Sequence, residues 1–189
     1  MVKPRRQVGG SMPEGDTEWK GSLLSPSKTA SVVAIILGSW ALLLNFLNIV
    51  IGVHSEGQKV RWIEFITNGS EVSQAHEIGI LLPDDLVFGL MGIGIFAAGF
   101  MGIGRSVEGG FAKWFSELPK SAIFSSLLST DNGSSRTIGS WMIVSGLLFY
   151  FVWSVLNTTW VDPGVYSVMI ALVAFGFGLH SIEDSGANQ

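Results

Sequence analysis

Residues Leu86 to Gly104 read LVFGLMGIGIFAAGFMGIG and contain no charged side chain, but they include six glycines. At about 1.5 Å per residue, a helix of this length crosses the roughly 30 Å hydrocarbon core of a bilayer. In water each glycine would destabilise a helix by about 1 kcal/mol. In lipid no water competes for the backbone hydrogen bonds, so a transmembrane helix tolerates these glycines. The segment therefore predicts a transmembrane helix.

Small residues recur along this segment at helical spacing. Gly94, Ala98 and Gly102 follow one another at i, i+4 and i+8, and Ala174 and Gly178 repeat that spacing near the end of the chain. Small side chains let two helices approach closely in a membrane. We therefore predict that these five residues form helix-packing surfaces. The pattern leaves open whether the facing helix belongs to this chain or to a partner.

The composition of the whole chain predicts more than one span. Of its 189 residues 48% are hydrophobic and 14% charged, against about 25% charged in soluble domains. Apolar runs predict four transmembrane helices, at about 29–53, 86–104, 137–160 and 165–181. We predict an all-α integral membrane bundle over 29–181, with an outer loop at 54–85 and an amphipathic loop at 105–136. Residues 1–28 are predicted to be a disordered tail, and 182–189 a short polar tail.

The basic residues predict the orientation of the four spans. If there are four spans, the two tails and the central loop share one side and carry nine of the eleven lysines and arginines. These are Lys3, Arg5, Arg6, Lys20, Lys28, Arg105, Lys113, Lys120 and Arg136. The positive-inside rule places such a side in the cytoplasm. We therefore predict a multi-pass protein of the cell membrane with both termini cytoplasmic.

Short matches between the two halves of the chain predict two tandem helical hairpins. Gly38-Ser39-Trp40 recurs as Gly139-Ser140-Trp141, and Arg105-Ser106-Val107-Glu108 is echoed by His180-Ser181-Ile182-Glu183. Two spans per unit would give a parallel repeat whose pseudo-axis runs along the membrane normal. Convergent composition at helix ends is the alternative explanation of the same matches.

The two long loops carry local patterns of their own. Residues 59–67 (KVRWIEFIT), followed by Asn68-Gly69, predict a short hairpin on the membrane surface, with an interfacial helix as the alternative. In the central loop Phe111, Trp114, Phe115 and Leu118 fall on one helical face. That spacing predicts an amphipathic helix in the headgroup region, or one that docks on a partner subunit.

Two amides and a group of outer-loop side chains are the candidate site residues. Asn45 and Asn48 lie three apart on one face of the first span, which predicts hydrogen bonds to a neighbouring helix or contact with a pore or substrate. The outer loop holds His54, His76, Glu77, Asp84 and Asp85, with Glu56 nearby. Imidazole and carboxylate suit zinc or copper, so these residues are a candidate metal site. Helix capping by Asp84 or Asp85 and a solvated acidic loop are the alternatives.

No cofactor is predicted. No span holds two histidines, as a haem with paired axial ligands requires, or a lysine for a retinal Schiff base. The glycine-rich GLMGIGIFAAG lies inside a span with no preceding strand, so it does not predict a dinucleotide loop.

We therefore predict a non-catalytic packing or scaffold subunit of a larger membrane complex. Its partners would be the lipid bilayer and other membrane subunits or further copies, not nucleic acid. A small oligomeric transporter or channel is the first alternative. A membrane enzyme or metal-binding protein that uses the acidic outer loop is the second.

Overall fold

The structure, a computed structural model, describes residues 26–67, 72–73, 78–131 and 133–186. About 80% of them are helical. The helices are α1 (Lys28–Val50), α2 (Trp62–Thr67), α3 (Asp84–Ser106), α4 (Gly110–Glu117), α5 (Ala122–Leu128), α6 (Ser134–Asn157) and α7 (Pro163–Gly186). The strands are β1 (Lys59–Val60) and β2 (Val72–Ser73), and 3-10 turns occupy Ser55–Gly57 and Leu118–Lys120. Helices α1, α3, α6 and α7 are long and apolar enough to cross a membrane, which confirms the predicted four-span, all-α class.

The four long helices form two hairpins. Helix α1 packs along α3, and α6 packs along α7. We call the end where α1 leads towards α3 and α6 turns into α7 the loop end, and the opposite end the tail end. At the loop end the Trp160 amide donates a hydrogen bond to the Val53 carbonyl, at 2.6 Å. Both hairpins therefore turn on the same side of the molecule, as the predicted parallel arrangement requires.

A seam of glycines holds the first hairpin together. Helix α3 buries Asp85, Gly89, Gly92, Gly99 and Gly102, whose spacing follows a 3.5-residue repeat. Facing them, α1 buries Ser31, Ile35, Gly38, Ala41, Leu44 and Asn48. A Cβ atom on Gly99 would lie 2.7 Å from the Ile35 amide nitrogen. A Cβ on Gly38 would overlap the Phe96 backbone. Glycine is required at both positions because the two backbones almost touch.

Only one residue of the predicted α3 stripe lies in this seam. Gly102 is buried against Ser31, whereas Ala98 is exposed and a Cβ on Gly94 would meet open space. Steps of four residues advance about 40° around a helix, so an i, i+4, i+8 series drifts off a straight contact line. In α7 Ala174 is exposed, and Gly178 also faces open space. Packing of these four outward residues on another subunit stays a prediction.

The second hairpin uses glycine in the same way but in another register. A Cβ on Gly139 would lie 2.7 Å from the Gly176 carbonyl oxygen, just as Gly38 faces Phe96 in the first hairpin. The residues that these two glycines face, Phe96 and Gly176, are 80 positions apart (176 − 96). The sequence match of Arg105 with His180 instead gives an offset of 75 positions between the second helices. The two hairpins therefore share one close-packed glycine position, and their second helices are displaced by five residues relative to the sequence match.

Short elements cover both ends of the hairpins. At the loop end β1 pairs antiparallel with β2, with Val60 opposite Val72, and α2 lies between them. The predicted strand over 59–67 is therefore limited to Lys59–Val60, because Trp62–Thr67 is helical as in the alternative, and the predicted turn at Asn68-Gly69 lies outside the described residues. At the tail end α4 contacts α3 through the Phe111 and Phe100 rings, 5.0 Å apart, and α5 packs on α6. The predicted amphipathic segment is therefore helical.

Candidate functional site

A buried polar centre at the loop end brings together two of the predicted site residues. Asn48 Nδ2 donates to Asp85 Oδ1 at 2.8 Å and to the Val60 carbonyl at 3.0 Å. The Val60 amide donates back to Asn48 Oδ1 at 2.8 Å. Asn48 is fully buried. Its side-chain amide hydrogen-bonds to both backbone groups of Val60 in β1 and also connects α1 to α3. The predicted hydrogen bond from this asparagine to a neighbouring helix is confirmed.

Asp85 is the charged group of this centre and is 1% exposed. Besides Asn48, it accepts hydrogen bonds from Trp62 Nε1 at 3.2 Å and from the Leu81 amide at 2.8 Å. Three N–H donors compensate part of the desolvation of a buried carboxylate. Within the described part of the chain, Asp85 forms no ion pair. The sequence predicts Asp85 at the end of the outer loop, as a metal ligand, a helix cap or a solvated acid, whereas the fold buries it.

The two adjacent aspartates lie in the first turn of α3, so neither is its N-cap. The helix begins at Asp84, and Pro83 occupies the N-cap position. Asp84 Oδ1 instead accepts a hydrogen bond from the Ile63 amide at 2.7 Å, which anchors α2. Both carboxylates still face the positive end of the helix dipole. The predicted N-cap is therefore wrong, and the aspartates connect α3 to the loop.

The candidate metal ligands do not converge where the structure describes them. His54 Nδ1 lies 3.1 Å from the Ser55 hydroxyl, and both aspartates are engaged with N–H donors. Among the described residues, no group of three or more His, Asp or Glu side chains could hold a metal. His76 and Glu77 lie outside the described residues, so the complete set stays a prediction.

Asn45 differs from Asn48, although the sequence treats them alike. Its Oδ1 atom is buried without a hydrogen-bond partner in the described part of the chain, and its Nδ2 atom lies above Gly89. A cavity of about 250 Å³ beside it is lined mainly by aliphatic side chains, Ile49 and Leu86 among them. Asn45 is thus a polar side chain in an apolar groove between α1 and α3.

An aromatic junction joins the two hairpins at the loop end. The Tyr150 and Tyr166 hydroxyls both donate to the Trp160 carbonyl, at 2.6 and 2.7 Å. The Trp40 ring meets the Tyr150 ring edge-on, with centroids 4.9 Å apart. Beside the junction lies an apolar cavity of about 440 Å³, lined by Val60, Trp62, Val161, Pro163, Tyr166, Ser167 and Ile170. Trp160 lies near the end of its predicted span, a position that predicts an interfacial aromatic, and nothing in the sequence signals that Tyr150 meets Trp40.

The second hairpin contains one serine–histidine contact. Ser140 Oγ lies 2.9 Å from His180 Nε2, between α6 and α7. Helix α7 continues to Gly186, five residues past the predicted end of the span at 181, so His180 lies well inside the helix. Both side chains are buried, which keeps substrate away from a serine nucleophile. The geometry is that of a polar contact between two helices.

The buried polar groups described above connect helices and loops, whereas the exposed Ser55–His54 contact joins neighbours in the chain. No family model, curated protein or solved structure matches the chain.

Proposed function

We propose that this chain is a non-catalytic packing subunit of a larger complex in the cell membrane, with both termini in the cytoplasm. The observation that carries the proposal is the small share of each span that the chain itself covers. Only 17–33% of the residues in the most apolar windows of α1, α3, α6 and α7 are buried. Most of the surface of each long helix is left for lipid or for another subunit.

The way the hairpins meet supports the same function. Among the described residues, no long helix of one hairpin packs along a long helix of the other. They join through the aromatic junction around Tyr150 and through the Trp160–Val53 hydrogen bond. Two helix pairs joined at one end present separate faces, and each face can contact a further transmembrane helix.

Small residues on the outward faces favour protein contact over lipid contact. Within the described chain, a Cβ on Gly94 of α3 or on Gly178 of α7 would meet open space. Ala98 and Ala174, on the same two helices, are exposed. No contact within the described chain therefore requires a small residue at these four positions. A helix that faces only lipid gains nothing from glycine, whereas a facing helix can approach closely over it. These residues are therefore the contact points that we assign to the partner subunit.

The experiment uses tagged full-length protein purified in mild detergent from the membranes of its own cells. We expect stoichiometric co-purification of a membrane partner, or of further copies of the chain. The Gly94→Leu/Gly178→Leu variant should lose that partner and keep the thermal stability of the isolated chain. Ile93→Leu is the matched control, because Ile93 is a large exposed residue of α3. A wild-type chain that emerges as a lone, monodisperse monomer would refute the proposal.

A transporter or channel that acts as an oligomer is the second candidate, and Asp85 favours it. An ionisable side chain buried in the first turn of a span often marks an ion or substrate pathway. Flux into liposomes that contain the purified chain tests this function with the Asp85→Asn variant. Asparagine keeps the acceptor for Trp62 and removes the charge. Flux of the wild type that falls with this variant would favour transport over packing.

A further inference from the structure

A cavity of about 420 Å³ lies at the tail end, between the start of α1 and the segment that follows α3. It is lined by Lys28, Trp114, Glu117, Leu118, Lys120 and Ser121. Lys28 is the first residue of α1, whereas the other five come from α4, from the 3-10 turn after it and from Ser121, which precedes α5. The cavity thus joins a spanning helix to the amphipathic segment, and its lining is part basic and part apolar.

Two lysines without partners give the cavity its charge. In the part of the chain that the structure describes, the ion pairs involve Arg61 and Arg136, and neither Lys28 nor Lys120 belongs to one. Glu117 is the only acidic residue of the lining, so the cavity carries a net charge of +1. Both lysines line this one cavity, and an anion bound between their ammonium groups would offset the repulsion of the two like charges.

The segment that forms the cavity lies at the depth of lipid headgroups if the long helices cross a membrane. Helix α4 is held against the end of α3 by the contact of Phe111 with Phe100. Trp114 packs on Phe111 at a ring distance of 5.4 Å, while the Phe115 side chain is 60% exposed. Exposed phenylalanine on an amphipathic helix enters the acyl region, and tryptophan prefers the interface.

We propose that this cavity binds the phosphate of an anionic phospholipid headgroup. The Lys28 and Lys120 ammonium groups would donate charge-assisted hydrogen bonds to the phosphate oxygens, and the Ser121 hydroxyl would donate a further one. Trp114 and Leu118 supply apolar surface for the glycerol and the first methylenes of the chains. Glu117 repels a negatively charged headgroup, so it limits the affinity of the site.

The experiment measures the lipid retained by the full chain in mild detergent, by native mass spectrometry, after titration with phosphatidylglycerol or phosphatidylcholine. We expect preferential retention of phosphatidylglycerol. Lys28→Gln and Lys120→Gln should each weaken retention about fivefold, since each basic group near an anionic surface contributes about that factor. Glu117→Gln should strengthen it, and Lys113→Gln is the matched control, because Lys113 lies on α4 outside the cavity lining.

The remaining outcomes are equally informative. Retention that falls alike in Lys113→Gln and in the cavity variants, or in neither, would overturn the site. Inorganic phosphate that binds the wild type as tightly as phosphatidylglycerol does would overturn the assignment to lipid. A Lys28→Arg/Lys120→Arg variant keeps both charges and should retain the lipid. It therefore separates loss of the site from loss of folding.

Discussion

Replacement of Gly99 by alanine tests the close packing of α1 on α3. The added Cβ would lie 2.7 Å from the Ile35 nitrogen and from the Ser31 oxygen. Ordinary contacts are about 3.5–4.0 Å, so the two helices must separate by roughly 1 Å. Both obstructing atoms belong to the α1 backbone and cannot rotate away. We place the overpacking cost at about 2–3 kcal/mol.

Alanine also favours the helix over glycine by at most about 1 kcal/mol. The net destabilisation of Gly99→Ala should therefore be about 1–2 kcal/mol. Gly94→Ala on the same helix is the matched control, because its Cβ meets open space. That variant should be unchanged or more stable by up to about 1 kcal/mol.

Reversible unfolding in mixed micelles of mild detergent and dodecyl sulfate, followed by circular dichroism at 222 nm, measures both variants on the isolated chain. The difference between them isolates the clash, since the helix-propensity contribution is common to both. Equal stabilities of Gly99→Ala and Gly94→Ala would refute the described contact between the α1 and α3 backbones.

Two further predictions use the same unfolding assay. Asn48→Leu should cost about 3 kcal/mol because it removes the side-chain partner of the buried Val60 amide and carbonyl and one of the three N–H donors to Asp85, while Asn45→Leu, which removes an unsatisfied oxygen, should cost less than about 1 kcal/mol. Equal losses would show that both amides make comparable contacts. Tyr150→Phe and Tyr166→Phe should each cost under about 1.5 kcal/mol, because the other hydroxyl still serves the Trp160 carbonyl, and the double variant should lose more than the sum of the two. Strict additivity would contradict the shared acceptor.

The predicted spans and the observed helices agree because span formation depends on local composition. Twenty or so apolar residues satisfy their own backbone hydrogen bonds whatever their neighbours are. Helix ends are less determined by composition. Polar residues with tertiary contacts lie past the apolar run of α7, which extends beyond the predicted end at 181 to Gly186 and pairs Asp184 with Arg136.

The candidate site was harder to predict because it depends on contacts distant in the sequence. Asn48 and Asp85 are 37 residues apart, and only the register of α1 against α3 brings them together. Asn45 has the same chemistry and lies one turn away, yet it faces the aliphatic groove. Burial of Asp85 likewise depends on Trp62, which a separate helix positions over it.

The sequence by itself determined the class of this protein: four apolar helices, their order, and glycine-rich faces suited to close packing. These properties follow from length, hydropathy and backbone hydrogen bonding, which a single segment contains. Only the tertiary structure decided which glycines face another helix, so that Gly99 is enclosed while Gly94 is open. It also decided that Asp85 is buried and connects α3 to α1 and α2. Helix rotation and register fix these outcomes, and they arise from the fit of two surfaces that lie far apart along the chain.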